Sequence, residues 1–221
     1  APSRGLGDVY KRQITNISHD LRTPLTTICG YLSLLDKEEK SEHIARQLSI
    51  IKNRTFALKQ LVEELFRYTT IISDTENSVY TETVINNVLE DCISSYYAIF
   101  KEKGITPNIN LCEQKIVRSV DKTALLRIFN NVIDNAIKYS EGDLTISLFE
   151  NGKIVFSNHT SDLNEIQIGK LFDRFYTVNT ARKSTGLGLS IAKALIEKMD
   201  GNISADYSNN VLSIIIKLNE V

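Results

Sequence analysis

Methionine is almost missing from this sequence: Met199 is its one occurrence in 221 residues. Cysteine is scarce and odd in number, and Cys29, Cys92 and Cys112 stand far apart with no metal-ligand spacing. That pattern argues against a disulfide framework and points to reduced, buried thiols in a cytoplasmic setting. No run approaches the ~20 apolar residues of a membrane-spanning helix, so no direct membrane contact is expected of this stretch. An excess of one charge is also lacking. Lys and Arg number 26 against 27 Asp and Glu, a formal net charge of −1 that gives no footprint for nucleic acid or an anionic lipid surface. Internal repeats and low-complexity tracts are absent too. What is left is an ordinary globular composition, 42% hydrophobic and 24% charged, in a chain long enough for two modest cores.

Residues 1–13 (APSRGLGDVYKRQ) mix Pro, Gly and charge without an apolar period and read as a non-native or linker leader outside the fold. From Ile14 the pattern changes. Ile14, Ile17, Leu21, Pro24 and Leu25, Ile28, Tyr31 and Leu32, and Leu35 recur at steps of three and four, which predicts a helix with a heptad seam. Pro24 lies inside it and would free the Asp20 carbonyl, making either a bending point for switching or a tolerated distortion. The polar residues 36–42 predict a hairpin turn, with Ser41 placed to cap a second helix. That helix carries the stripe Ile44, Leu48, Ile51, Thr55, Leu58, Val62, Leu65, Thr69 and Ile72. Two such helices are too little core to stand alone, so a homodimer forming a four-helix bundle is expected over 14–72.

A polar linker follows at 73–78, and from Val79 the character is mixed. Strands are predicted at 79–84, 105–111, 116–120, 144–149, 153–157, 203–207 and 211–218. Helices are predicted at 84–103, 122–139, 164–175 and 187–200, the first and last stopped by Gly104 and Gly201. The fold class is α+β: a helical hairpin, then an α/β sandwich over 79–221 with helices on a mostly antiparallel sheet.

His19 falls on the side of the first helix away from the seam, where an imidazole is available for chemistry. A lone surface histidine usually does nothing. Its neighbours, however, form Ser18-His-Asp-Leu-Arg-Thr-Pro-Leu25, which resembles the phosphoacceptor box of sensor histidine kinases over all of its residues. On the helix 122–139, Asn131, Asn135 and Lys138 share one face. Amide oxygens suit a hard cation such as Mg²⁺, and the lysine can offset phosphate charge, although a solvent-exposed polar face would show the same spacing. The stretch Asn131-Val-Ile-Asp-Asn-Ala-Ile-Lys-Tyr139 closely resembles the asparagine box of that family's ATP-binding domain, the Bergerat-type fold shared with gyrase. Lys170 to Tyr176 is similar to its phenylalanine box, and Ser184 to Ser190 to its second glycine box. Physically, Gly186 and Gly188 open a helix and present bare N–H groups at its positive end. Thr177 to Lys183, polar and aperiodic, reads as a lid.

The resemblance covers Ile14 to Val221 and implies a bacterial two-component protein histidine kinase. It implies His19 as phosphoacceptor, Asp20 orienting the ring and taking its proton, and Thr23 orienting water for dephosphorylation of the partner. It also implies Asn135 as magnesium ligand, Asn131 and Lys138 at the phosphates of ATP, Tyr139 near adenine, and Gly186, Leu187 and Gly188 in the glycine turn. Arg174 and Arg182 are further phosphate candidates. The implied partners are a second copy of the chain and a response-regulator receiver domain, and the implied setting is the cytoplasmic part of a membrane-anchored sensor. One piece departs from the pattern. Where the family has D-x-G-x-G, this chain has Asn158-His-Thr-Ser-Asp162, so adenine would meet a neutral amide and the loop lacks its glycines. Two other readings stay open: a gyrase-like ATPase without phosphohistidine, and a phosphatase-only or scaffold member with weakened ATP binding.

Overall fold

The computed structural model describes residues 21–73, 79–161, 163–178 and 186–219, and the chain divides into two compact units, Ala1–Thr75 and Glu76–Val221. His19 and Asp20 lie outside the described residues, as do most of the expected linker and lid.

In the first unit the apolar period gives a helical hairpin. Helix α1 is described over 21–35 and runs on through Pro24, and α2 spans Glu42–Ser73. The predicted seam divides into two rows. Leu25 and Leu32, seven residues apart, are each 7% exposed, whereas Leu21, Ile28 and Leu35 remain open to solvent. On α2, Leu48, Thr55 and Val62 are half-buried, while Ile44, Ile51 and Leu58 are exposed. Residues seven apart lie on one helical face, so each helix keeps an unpartnered apolar row. The turn is built from polar contacts. Lys40 donates to the Leu35 carbonyl at 2.6 Å, Asp36 pairs with Lys52, and Ser41 Oγ accepts the Ile44 N–H at 3.4 Å as the expected cap. The hydrogen bond from Lys52 and its charge hold the Asp36 carboxyl below its ordinary range.

The second unit is made of β1 (Thr81–Val84), α3 (Ile85–Ser95), α4 (Tyr97–Lys103), β2 (Asn108–Leu111), β3 (Val117–Val120), α5 (Lys122–Tyr139), β4 (Thr145–Leu148), β5 (Lys153–His159), α6 (Glu165–Gly169), α7 (Gly188–Lys198), β6 (Asn202–Ser208) and β7 (Val211–Lys217). A five-stranded sheet has the order β2-β4-β5-β7-β6, with β2 and β4 parallel and the other neighbours antiparallel; β1 and β3 form a separate ribbon. Alternation decides which face is covered. Ile146, Leu148, Ile154, Phe156, Leu212, Ile214 and Ile216 are buried, and Ser147, Val155, Ser157, Ser213 and Ile215 between them are half-buried. Helix α5 supplies Leu125, Ile128, Phe129, Val132 and Ile133 to this core, with the Phe129 ring 5.9 Å from that of Phe156. Asp121 starts α5 by accepting the N–H groups of Thr123 and Ala124 at 2.9 and 3.0 Å.

Three local expectations need correction. The single helix over 84–103 is two, because Tyr96 (φ −89°, ψ −1°) leaves the α-helical path while its hydroxyl is engaged by α5. The strand over 105–111 begins only at Asn108, since the Ile105 N–H closes α4 on the Phe100 carbonyl at 2.9 Å. The helix over 164–175 stops at Gly169. It starts well, with a reciprocal Asn164–Gln167 capping box, but the chain is then drawn away and Phe175 adopts φ +62°. At the far hairpin, Asn209 and Asn210 both take positive φ (52° and 61°), the two-residue turn that matches the twist of β6 and β7.

Candidate functional site

Helix α5 sets the site because its apolar face is locked on the sheet and its polar rows are thereby pointed elsewhere. Asn131 and Asn135 sit one turn apart and half-buried, with Lys138 exposed beyond them and Tyr139 half-buried at the helix end. Asn131 faces the start of α7. A Cβ added at Gly188 would lie 3.8 Å from the Asn131 carbonyl and 3.9 Å from its Oδ1. The Asn131 Nδ2 is buried and has no hydrogen-bond partner among the described residues. A buried donor without an acceptor costs about 1–3 kcal/mol, so its retention asks for a ligand.

The turn before α7 is shaped by backbone contact. Phe175 N–H donates to the Gly186 carbonyl at 3.0 Å, and Gly186 has φ +71°. A Cβ there would sit 2.5 Å from the Tyr176 carbonyl. Leu187 is fully buried and anchors the turn, and Ser190 Oγ closes it on the Leu187 carbonyl at 2.9 Å. Gly188 opens α7, so the helix start carries no side chain toward Asn131. Unpaired N–H groups and the positive end of the helix macrodipole make such a start receptive to an anion. Arg174 is exposed in the turn after α6; Arg182 lies outside the described residues.

Asn158 stands on β5 with its side chain on the covered face of the sheet, 4% exposed and two residues beyond Phe156. Its Nδ2 donates to the His159 carbonyl at 3.1 Å, which leaves the oxygen end to act as acceptor. The following loop is braced from two sides. Asp143 accepts the His159 N–H at 2.9 Å and stands 2.9 Å from its Nδ1. Thr160 N–H donates to the Asn210 carbonyl at 2.9 Å, and the Tyr207 hydroxyl lies 3.1 Å from both the Thr160 carbonyl and Asn210 Oδ1. His159 is part of this brace. Thr160 has no positive φ, so its backbone does not call for the glycine expected there; Asp162 lies outside the described residues. Asp143 and Tyr207 left no sequence signal, since they reach Asn158's loop only through the sheet and its connecting turns.

The structure therefore brings Asn131 and Gly188 together beside the Gly186–Leu187 turn. Thr23 stands exposed on α1 in the other unit. No cluster of His, Cys, Asp or Glu that could hold a metal occurs among the described residues, so a cation here would rely on amide and phosphate oxygens. No described helix is long and apolar enough to cross a membrane.

A helical hairpin ahead of an α/β sandwich defines the architecture, and the comparisons with known proteins assign it a class. Residues 120–219 match the histidine kinase-, DNA gyrase B- and HSP90-like ATPases, and residues 10–74 match the His Kinase A phospho-acceptor domain. The sensor histidine kinase YcbM of Bacillus subtilis is 32% identical over 94% of this chain, which spans 71% of that protein. The sensor protein VanSC of Enterococcus gallinarum is 33% identical over 93% of the chain, which spans 59% of its length. Full-length ShkA, solved in complex with AMPPNP, superposes on 94% of the chain with a TM-score of 0.64; at 20% identity this speaks to the fold alone. The chain belongs to the sensor histidine kinases, and it is a protein histidine kinase.

Proposed function

We propose that this chain transfers the γ-phosphoryl group of ATP to His19 and then to an aspartate of a response-regulator receiver domain, acting as a homodimer. The observation that carries the nucleotide half of this reading is the orphaned Asn131 amide, buried against Gly188 at the start of α7. It offers a donor to phosphate oxygen where an anion is already favoured. The exposed rows Leu21, Ile28 and Leu35, and Ile44, Ile51 and Leu58, support the dimer, because burying them needs a second hairpin.

The donor set fits a magnesium ion. Asn135 would hold it through its amide oxygen, with Asn131 and Lys138 at the phosphates. When bound, the ion neutralises charge on the phosphate oxygens. The chain's own residues do the rest. Neutral His19 attacks in line, and Asp20 orients the imidazole and accepts its proton. Buried Asn158 takes the adenine amino hydrogen on its oxygen, since its nitrogen is committed to the His159 carbonyl. Tyr139 borders the adenine, and Arg174 is a further phosphate contact. Thr23 orients water for dephosphorylating the regulator, giving a second, phosphatase activity. The working frame is a leader over 1–13, a phosphoacceptor domain over 14–72, a linker over 73–78 and a catalytic domain over 79–221, forming the cytoplasmic portion of a membrane-anchored sensor.

The test is incubation with γ-labelled ATP and Mg²⁺, comparing the wild type with His19→Ala and Asn135→Ala. Acid-labile, alkali-stable label is expected, absent from both variants. Label persisting in His19→Ala would overturn the assignment. In a second assay Thr23→Ala should lose phosphatase activity and keep autophosphorylation.

A further inference from the structure

The two asparagines of the proposed site are each preceded on α5 by a residue that another helix holds. Cys92, 2% exposed near the end of α3, donates its thiol to Asn130 Oδ1 at 3.2 Å. Tyr96, 8% exposed at the α3–α4 junction, donates its hydroxyl to Asp134 Oδ1 at 2.9 Å, with the Asn130 carbonyl 3.4 Å away. Cys92 and Tyr96 are one turn apart, and so are Asn130 and Asp134. Two bonds at different heights therefore join α3 to α5.

One contact leaves a helix free to roll about its axis; two contacts a turn apart fix both roll and axial position. The next row on α5, about 100° further round, is Asn131 and Asn135. Across from it stands Gly188, where an added Cβ would reach Asn131 only at ordinary contact distance. A roll of about 20° would move an atom at the ~5–6 Å side-chain radius by roughly 2 Å, enough to take an amide oxygen out of ligand range. Asp134 adds a second consequence. It is exposed and lies one residue before Asn135 and four before Lys138. Held by Tyr96, its carboxylate is turned toward α3; released, it would bring negative charge beside the phosphates.

We propose that Tyr96, supported by Cys92, is a positioning residue for magnesium-nucleotide binding, acting through Asp134 and Asn130 on the angle of Asn135 and Asn131. The inference rests on the reading of Asn131 and Asn135 given above. Residues that orient ligands in this way change metal affinity by about 10- to 100-fold when removed.

The test is a calorimetric titration of the whole chain with ATP at a series of Mg²⁺ concentrations, alongside thermal unfolding without nucleotide. Tyr96→Phe, which keeps the ring, is expected to raise the Mg²⁺ concentration for half-maximal ATP binding about 10-fold. Cys92→Ala should raise it less, and Cys92→Ser, which keeps a donor, should restore the wild-type value. Asp134→Ala removes the same bond from the exposed side without touching the core; with no freed carboxylate beside the phosphates it should raise the requirement too, but less than Tyr96→Phe, which guards against a folding defect. Asn86→Ala, which weakens the same unit at the opposite, N-terminal end of α3, should lower the unfolding temperature without changing the Mg²⁺ requirement. An unchanged requirement in Tyr96→Phe and Asp134→Ala overturns the inference, as does an equal rise in Asn86→Ala. Wild-type chain showing no Mg²⁺-dependent ATP binding overturns the site reading as well, so the two failures are distinguishable.

Discussion

Phe175 and Gly186 are joined backbone to backbone, N–H to carbonyl at 3.0 Å, across the segment between α6 and α7. Both residues have positive φ, which an aromatic side chain adopts only at a cost of about 1–3 kcal/mol. The pairing shapes the turn in which α7 starts, and it separates the two glycines by physical role.

Gly186→Ala should destabilise the second unit by about 2 kcal/mol or more, since its Cβ meets backbone and its φ is positive. Gly188→Ala meets only ordinary contacts and should change stability by less than about 1 kcal/mol. Thermal unfolding without nucleotide distinguishes them. A loss of ATP binding in Gly188→Ala at unchanged stability would then report on the ligand alone.

Asn131→Ala should abolish ATP binding yet leave the unfolding temperature unchanged or raised, because it removes a buried donor that has no partner. Asn86 is the contrast. Its Nδ2 donates to the Cys112 and Gln114 carbonyls at 3.1 Å each, and its Oδ1 accepts the Ile116 N–H at 2.9 Å. Asn86→Ala should cost roughly 2–4 kcal/mol. Equal unfolding penalties for the two variants would contradict this division.

Asn158→Asp places a carboxylate at a 4% exposed position and puts it against the His159 carbonyl, which loses its donor. Denaturant unfolding in the absence of nucleotide should show a loss of about 1–3 kcal/mol. Wild-type chain should bind Mg-ATP saturably without this change. An increase in stability in Asn158→Asp would mean that the oxygen end does not face the site as described.

Burial pushes the Cys92 thiol up from 9.0 to about 12, with Asp134 adding to the shift. A raised folded-state value means that its stabilising contribution is intact below about pH 9 and is lost as pH rises toward about 12. At pH 8 a thiol alkylator should modify the half-exposed Cys29 and Cys112 well before Cys92, read by mass spectrometry of the native chain. Early modification of Cys92 would count against its burial.

Ile51→Glu puts a charge in the exposed row of α2. Losing one buried isoleucine from each copy weakens a dimer by about 3 kcal/mol or more, roughly 100-fold in the dissociation constant. Sedimentation velocity should show monomer at concentrations where wild type is dimeric. A wild-type chain that is monomeric throughout would refute the dimer.

Periodicity and local signals were sufficient for the regular elements. Helix α5 runs from Lys122 to Tyr139 as its apolar spacing predicts, and the hairpin helices and most strands fall close to their expected bounds. Those features depend on contacts between residues near in sequence, so they are legible there. The segments that differ are those where distant residues compete with local preference. Tyr96 breaks a helix because its hydroxyl reaches Asp134, and the chain after Gly169 abandons helix because Phe175 pairs with Gly186. The sequence by itself determined the candidates proposed to carry chemistry: the Asn131–Asn135 pair, the two glycines and the altered Asn158. Tertiary structure alone decided that the Asn131 Nδ2 is buried without a partner, that His159 is held by Asp143, and that Cys92 and Tyr96 tie α3 to α5. Each of these joins residues on different elements, and such pairings are set by how the elements pack.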